Sequence, residues 1–537
     1  MTGGTMQLTA YGAQDLYLTG NPQITYFKLM YRRYTNFATE YISLPFRTLS
    51  SFSLTQRTQV TCDIVRNGDL VSDCYLVFDL PNIFSSEEEG FRWVRNLGEN
   101  IIYKTQLMIG GEKIDEQYGQ WMNVWNQLTL SDGKRKSYDI IIGNYANLNN
   151  LTRSSDYQGD IETNNFPNGP SIPATRLYIP FQFAFCLNPG LALPLISLQY
   201  HYVTINIEFT PVNDWYYFVP NFSGDAGSLQ DPRHIISPKQ LFAGTNVNSP
   251  LTNDQTQLLQ KFQNEGYDYQ NIFWKFVNGT TSRGGWNENS FIEANYIYLD
   301  ADERTQFALY PQEYLFMQVQ RRLFQGLLGN NNRLDLDFHN TCKELIWVMQ
   351  RDDVDARNDW NNYTFCDFNE FDYPNNLTVT QNYSQVCIDD DESGIVCLTQ
   401  MGDIKGIGPT PTCDSSYDRP NNFSFNNGKN IMYQSTLLLD GLQRYEIKDS
   451  IFFNYLIPYK YHTNKPSDGI NCYSFALYPE QPQPSGTLNF SRIEKTQMWL
   501  ALRAVPNANV KYNCTVFANT YNVLRIYGGM GGIAFAL

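Results

Sequence analysis

The chain has 537 residues and a formal net charge of −15, with 42% hydrophobic, 15% aromatic and 17% charged residues. That length supports two to four domains with cores of their own, and the composition is that of an ordered globular protein. The acidic balance excludes packaging of nucleic acid through direct phosphate contacts, and apolar stretches such as 191–198 fall far short of the ~20 residues that cross a bilayer.

The opening Met1-Thr-Gly-Gly-Thr-Met6 has no basic n-region and no apolar h-region, so no secretory signal is expected. Ile24, Tyr26, Phe27, Leu29, Met30 and Tyr31 surround a turn at Thr19-Gly20-Asn21-Pro22. The segment is too short to form a core, so this apolar surface needs another surface to cover it.

From there the chain alternates. Val60, Cys62 and Ile64 interleave with Gln59, Thr61 and Asp63, and Ile205, Ile207 and Phe209 interleave with Thr204, Asn206 and Glu208. A strand of this pattern covers a core with one side and meets polar surroundings with the other. Further strands are expected at 74–80, 105–109, 177–185, 293–299, 334–338, 345–349, 435–439, 473–477, 497–502, 511–518 and 522–527. Helical periodicity is confined to 118–128 and, more weakly, 254–262. Many short strands with Gly/Pro-rich connectors predict antiparallel sandwiches or barrels.

Two features occur twice in the same order. Gly110-Gly111 and Asp440-Gly441 each fit a two-residue hairpin turn that needs positive φ. Asn188-Pro-Gly-Leu-Ala-Leu193 and Gln483-Pro-Ser-Gly-Thr-Leu488 each form a turn that leads into strand-like segments. These pairs predict two tandem copies of one β-domain. Three long irregular stretches separate the landmarks, at 129–176, 211–290 and 352–432. If each copy is an eight-stranded jelly roll, all three leave the same end of the barrels. Their Trp, Tyr and Phe content predicts ordering against neighbours.

Chemistry is sparse. His201, His234, His339 and His462 are scattered without metal-ligand spacing, and neither GxSxG nor a phosphate loop occurs. Gly528-Gly-Met-Gly-Gly532 follows a strand with too little chain behind it for a phosphate-binding helix, so it reads as a flexible C-terminal turn. Asp389-Asp-Asp-Glu392 lacks the spaced oxygens and turn glycine of a hard-cation loop and reads as a solvated acidic loop. Of the ten cysteines, Cys62, Cys74, Cys186, Cys342, Cys472 and Cys514 are expected as free thiols, several of them buried in strands. Cys366, Cys387, Cys397 and Cys413 share one polar stretch, where free thiols or one or two disulfides both fit; no CxxC and no His there supports zinc. Nine Asn-X-Ser/Thr sites occur (Asn150, Asn221, Asn278, Asn362, Asn376, Asn382, Asn422, Asn489, Asn513), seven of them in the long stretches, where glycans would be sterically allowed. No catalytic, cofactor or metal residue is assigned.

The run from Tyr11 to Ala38, Tyr11-Gly-Ala-Gln-Asp-Leu-Tyr-Leu-Thr-Gly-Asn-Pro-Gln-Ile-Thr-Tyr-Phe-Lys-Leu-Met-Tyr-Arg-Arg-Tyr-Thr-Asn-Phe-Ala38, resembles the start of major capsid proteins of nucleocytoplasmic large DNA viruses, especially those of algal and amoebal viruses. So do Arg66-Asn-Gly-Asp-Leu70, Pro189-Gly-Leu-Ala-Leu-Pro-Leu-Ile196, Gln483-Pro-Ser-Gly-Thr-Leu-Asn-Phe-Ser-Arg-Ile493, Tyr521-Asn-Val-Leu-Arg-Ile526 and Gly528–Gly532. The resemblance implies an all-β, double jelly-roll chain: arm 1–35, first roll 36–304 with insertions 129–176 and 211–290, linker 305–313, and second roll 314–537 with insertion 352–432. It also implies a non-enzymatic shell protein of the virion, assembled in the host cytoplasm without cofactors. Its expected partners are two further copies in a trimeric capsomer, neighbouring capsomers, and minor capsid proteins met at the base through Tyr26, Phe27 and Tyr31. An inner membrane lies nearby but is not spanned, no nucleic acid is bound directly, and host glycans are possible ligands of the outer loops. The insertions are longer than in compact members. The alternatives are a minor capsid or glycan-binding attachment module and, more remotely, a carbohydrate-active enzyme on a β-sandwich, which needs paired cleft carboxylates.

Overall fold

Sixteen strands of the chain fall into two sets of eight. In the first set are β1 (Phe37–Pro45), β2 (Thr58–Ile64), β3 (Leu70–Leu80), β4 (Ile102–Ile109), β5 (Glu112–Tyr118), β6 (Thr175–Pro180), β7 (Val203–Phe209) and β8 (Phe291–Leu299). The second set comprises β9 (Gln312–Leu327), β10 (Asn332–Asp335), β11 (Thr341–Arg351), β12 (Met432–Leu439), β13 (Leu442–Gln443), β14 (Ile470–Ser474), β15 (Thr496–Leu502) and β16 (Tyr512–Tyr527). The computed structural model describes residues 2–47, 51–85, 89–149, 170–220, 235–246, 249–251, 253–278, 289–365, 386–390, 394–398, 430–503 and 510–535.

The sheets of the first set run β1-β8-β3-β6 and β2-β7-β4-β5; those of the second run β9-β16-β11-β14 and β10-β15-β12-β13. Each order of the second set is that of the first with eight added to every label. All ladders along these paths are antiparallel. This is the double jelly roll, with short extra strands such as Leu193–Pro194 and Leu488–Asn489 paired at the margins.

The repeated sequence features fall at equivalent places. Gly110 (φ 59°), Gly111 (φ 87°), Asp440 (φ 47°) and Gly441 (φ 84°) form the β4–β5 and β12–β13 turns. The Asn188 and Gln483 segments lie in the β6–β7 and β14–β15 connections. Because successive strands cross a barrel alternately, these connections, the arm before β1 and the link from β8 to β9 all belong to one end, here the base. The three long stretches belong to the other end.

Each barrel closes on its own apolar interior. In the first, Phe52, Phe78, Phe209 and Trp215 cluster with ring centroids 5.0–6.2 Å apart. In the second, Trp347 and Phe453 meet edge-on at 5.1 Å. Helix α1 (Gly119–Thr129), where a helix is expected at 118–128, joins the barrels: Met122 enters the first core while Trp121, Val124, Trp125 and Leu128 cover Ile346, Val348 and Phe517 of the second. Each buried aromatic of this size removes roughly 200 Å² from water, about 5 kcal/mol gross, so the junction is a core in its own right.

Several elements differ from expectation. The strand at 177–185 stops at Pro180, which has no N–H for the ladder, and a helical turn at Ala184–Leu187 follows. The segments 511–518 and 522–527 are one 16-residue strand, and β9, also of 16 residues, is absent from the expected set. In both cases polar residues that read as turn are satisfied by partners distant in sequence. Asn519 donates to Glu344 at 3.0 Å, Asn522 to Gln318 at 3.1 Å, and Gln318 to the Ile114 carbonyl at 2.7 Å. Most of the expected linker at 305–313 belongs to helix α2 (Ala301–Leu309), and β9 begins at Gln312. The long stretches also contain helices, at Asp132–Ile141, Pro238–Ala243, Asn253–Asn264 and Ile272–Asn278. The third of these contains the segment expected at 254–262. The second carries a Ser237/Gln240 capping box with Pro238 at its first turn, a signal that the sequence displays openly.

Candidate assembly surfaces

At the base the two barrels are clamped together by the C-terminal hairpin. Gly528 (φ 59°) and Gly529 (φ 82°) turn the chain from β16 into Met530–Ile533. The Gly529 carbonyl accepts from Tyr200 N at 2.9 Å, and the Gly531 carbonyl lies 3.0 Å from His201 Nδ1. A Cβ on Gly531 would stand 2.7 Å from Leu198, and one on Gly110 only 2.4 Å from the same His201 nitrogen, so glycine permits the closeness of this joint. The expected flexible turn is thus an ordered hairpin that locks one barrel to the other. Helix α2 seals the same end: Arg304 pairs with Asp69 at 3.0 Å, and Ser197 donates to the Phe307 carbonyl at 2.6 Å.

The arm precedes β1 at this end, and its described residues are exposed except for half-buried Asp15. Tyr26 is 90%, Phe27 98% and Tyr31 80% exposed, and no arm residue described before β1 is buried.

At the opposite end the insertions of the two barrels interlock. Asn358 donates to the carbonyls of Asn213 at 2.8 Å and Tyr216 at 3.2 Å, and Trp360 Nε1 donates to Asp214 O at 3.1 Å. Lys239 bridges Asp214 at 2.8 Å and Asp355 at 2.9 Å. Burial, only partly offset by Lys239, pushes Asp214 up to about 6. Among the described residues, these bonds cross-brace the two insertions.

Titratable groups with buried side chains lie in and beside the junction. Glu99 accepts from Asn123 at 2.6 Å, Asn126 at 3.1 Å and Tyr138 at 2.7 Å; burial raises its pKa against those bonds. Asp115, on β5, faces β9 of the second barrel and is pushed up to about 7 by burial. His462 lies 3.3 Å from Glu344 and 3.1 Å from Glu480. Burial pulls its pKa down, but hydrogen bonding with Cys472, Glu344 and Glu480 prevails and holds it well above the ordinary value. Glu344 is correspondingly low: burial raises it, and His462 and Lys343 outweigh that. These arrangements fix side chains.

Two family models match in tandem. Residues 25–239 match "Major capsid protein N-terminus" and residues 303–532 match "Large eukaryotic DNA virus major capsid protein". The major capsid protein of Phaeocystis pouchetii virus is 34% identical over 585 residues, with all of both chains covered. The chain belongs to the major capsid protein family of large eukaryotic DNA viruses. The major capsid protein of Chrysochromulina ericina virus is 31% identical, again over both full lengths. Among solved structures, a quasi-atomic model of the PBCV-1 virus capsid shares the fold at a TM-score of 0.60 and 24% identity, covering 96% of this chain and 100% of that one. As a major capsid protein the chain is structural, a component of the virion shell and not an enzyme. Full-length relation to major capsid proteins does not favour the minor-capsid or attachment-module alternative.

In this capsid protein the sequence-flagged residues are dispersed. His201 joins the barrels, His462 sits among carboxylates, and His339 donates its backbone N–H to Gln320 at 3.0 Å; His234 lies outside the described residues. Among the described residues no group of three His, Cys, Asp or Glu is placed to hold a metal, and no helix is long and apolar enough to cross a membrane. Cys62, Cys74, Cys342, Cys472 and Cys514 are buried free thiols and Cys186 is a half-buried one. Cys387 and Cys397 stand opposite each other in the hairpin Val386–Asp390/Gly394–Leu398, while Cys366 and Cys413 lie outside the described residues. In the acidic run, Asp389 and Asp390 belong to that hairpin, and Asp391 and Glu392 lie outside. Of the glycosylation motifs, Asn150, Asn221, Asn376, Asn382 and Asn422 lie outside as well. Asn362 is 1% exposed and donates to Asp359 at 2.8 Å, which leaves no room for a glycan; its place in a long stretch misled the sequence reading. Sequence reasoning passed over Asp115, Glu344 and Lys239 because partners such as Val319, His462 and Asp355 lie far away in sequence.

Proposed function

We propose that three copies of this capsid protein form a capsomer with a pseudo-sixfold outline, which tiles the shell with the arm inward and the long loops outward. The supporting observation is the pair of barrels with identical strand orders, sharing one base and one top. Six such barrels per trimer give a threefold object near-equivalent edges, and these pack hexagonally. On this reading the chain divides into the arm 1–35, two rolls and the helical link between them. Tyr26, Phe27 and Tyr31 bury their surface on minor capsid proteins beneath the base, on the side of an inner membrane that the chain does not cross.

Size-exclusion chromatography with light scattering tests the assembly. The purified chain is expected near three times 62.0 kDa. A monomer that persists at micromolar concentration refutes it.

A further inference from the structure

One side of β3 is paired in two pieces. Tyr75–Leu80 pair with β6, and Leu70–Val71 pair with the short strand Leu193–Pro194. Between the two pieces the chain makes an excursion, residues 181–192, that holds the helical turns Ala184–Leu187 and Pro189–Leu191. Phe181 N still donates to the Cys74 carbonyl at 3.2 Å, and then the excursion departs from the strand.

Cys74 therefore stands at the gap in the ladder, and Cys186 stands on the excursion that spans it. Cys74 is fully buried. Cys186 is half-buried and packs against the core to which Cys74 belongs, as its turn packs on β3. The two thiols hydrogen-bond; that bond, with burial behind it, raises the Cys74 pKa well above its ordinary value. Three other buried thiols point elsewhere: Cys62 donates to the Leu44 carbonyl at 3.6 Å, Cys342 to that of Glu344 at 3.0 Å and Cys472 to that of Phe453 at 3.6 Å.

We propose that Cys74 and Cys186 form a redox site, a dithiol inside the reducing cell where the chain is made and a disulfide in the released particle, whose surroundings are oxidising. The oxidant is a small-molecule disulfide. Cys186, the member of the pair that solvent reaches, attacks it as a thiolate. A bond forms between Cys186 and one sulfur of the reagent, the reagent's own S–S bond breaks, and one thiolate leaves. Cys74 then gives up its proton and attacks the Cys186 sulfur, and the second thiolate leaves. Two thiols of the chain are oxidised, and one reagent disulfide is reduced to two thiols that take up the two protons.

The bond supplies at the gap what the backbone ladder lacks there. It closes a loop of roughly 110 residues that carries β4, β5, α1 and β6, so it constrains the unfolded chain while tying the excursion to β3. It acts within one chain and is independent of the trimer reading.

The test uses the full chain, purified with reductant and then equilibrated with glutathione disulfide. Remaining thiols are alkylated, and peptides are mapped by mass spectrometry with and without reduction. A linked Cys74–Cys186 peptide that disappears on reduction is expected. The oxidised chain is expected to melt roughly 5–10 °C above the reduced one, and Cys186→Ser to lose that rise. The peptide map is read on wild type, so it decides the matter even where the variant fails to fold. Cys74 recovered as a free thiol, a Cys186–glutathione adduct that persists, or a bond from Cys186 to a different cysteine each overturns the proposal.

Discussion

Asp115 makes the joint between the barrels sensitive to pH. Its carboxylate accepts from Glu116 N at 2.9 Å, Gln117 Nε2 at 2.9 Å and Val319 N at 3.5 Å, with no cation among these partners. Burial lifts its pKa from the ordinary 3.8 to about 7. A carboxyl held more tightly protonated in the fold than in the unfolded chain lends stability that is full below pH 3.8. That contribution is lost as pH rises through about 7. Over that window the loss amounts to roughly 4 kcal/mol. Asp115→Asn keeps the shape and removes the titration; its new amide has a candidate acceptor in Gln117 Oε1, which is otherwise without a partner among the described residues. The variant should match wild type at pH 4 and exceed it at pH 8, by roughly 8 °C in Tm for a unit the size of one barrel. Differential scanning fluorimetry of both proteins across that range measures the difference, in which all other titrating groups cancel. A difference that stays flat from pH 4 to 8 refutes the reasoning.

Gly110→Ala places a Cβ at a φ of +59° and 2.4 Å from His201 Nδ1. It is expected to destabilise the chain by about 2 kcal/mol or more, read from denaturant midpoints. His462→Gln removes the cation that hydrogen-bonds buried Glu344, leaving only Lys343 nearby, and should cost about 3–5 kcal/mol near neutral pH. Because the folded pKa of His462 is raised, its contribution is present below the ordinary 6.5 and fades as pH rises through the folded value; variant and wild type should therefore converge at alkaline pH, as urea titrations at several pH values will show. Deleting residues 1–35 removes no buried side chain, so melting should be unchanged while particle assembly with minor capsid proteins fails. Normal particles from the truncated chain would refute the role given to the arm.

Alternation at 58–64 and 203–209, and the positive-φ turns at Gly110-Gly111 and Asp440-Gly441, were enough to establish β architecture, duplication and the shared end of the long loops, because each is a local constraint on backbone and burial. The arm was legible too, since apolar residues without room for a core need no coordinates to look unfinished. Tertiary structure alone decided that Gln318, Asn519 and Asn522 belong in strands, that Asn362 is sealed from solvent, and that Gly528–Gly532 is a clamp. Each of these residues is polar or small and reads as loop until its partner, often more than a hundred residues away, arrives to satisfy it. Local sequence marks alternation and turns; only tertiary packing, within and between the barrels, determines which polar groups can be buried, and so where strands continue and where the joints lie.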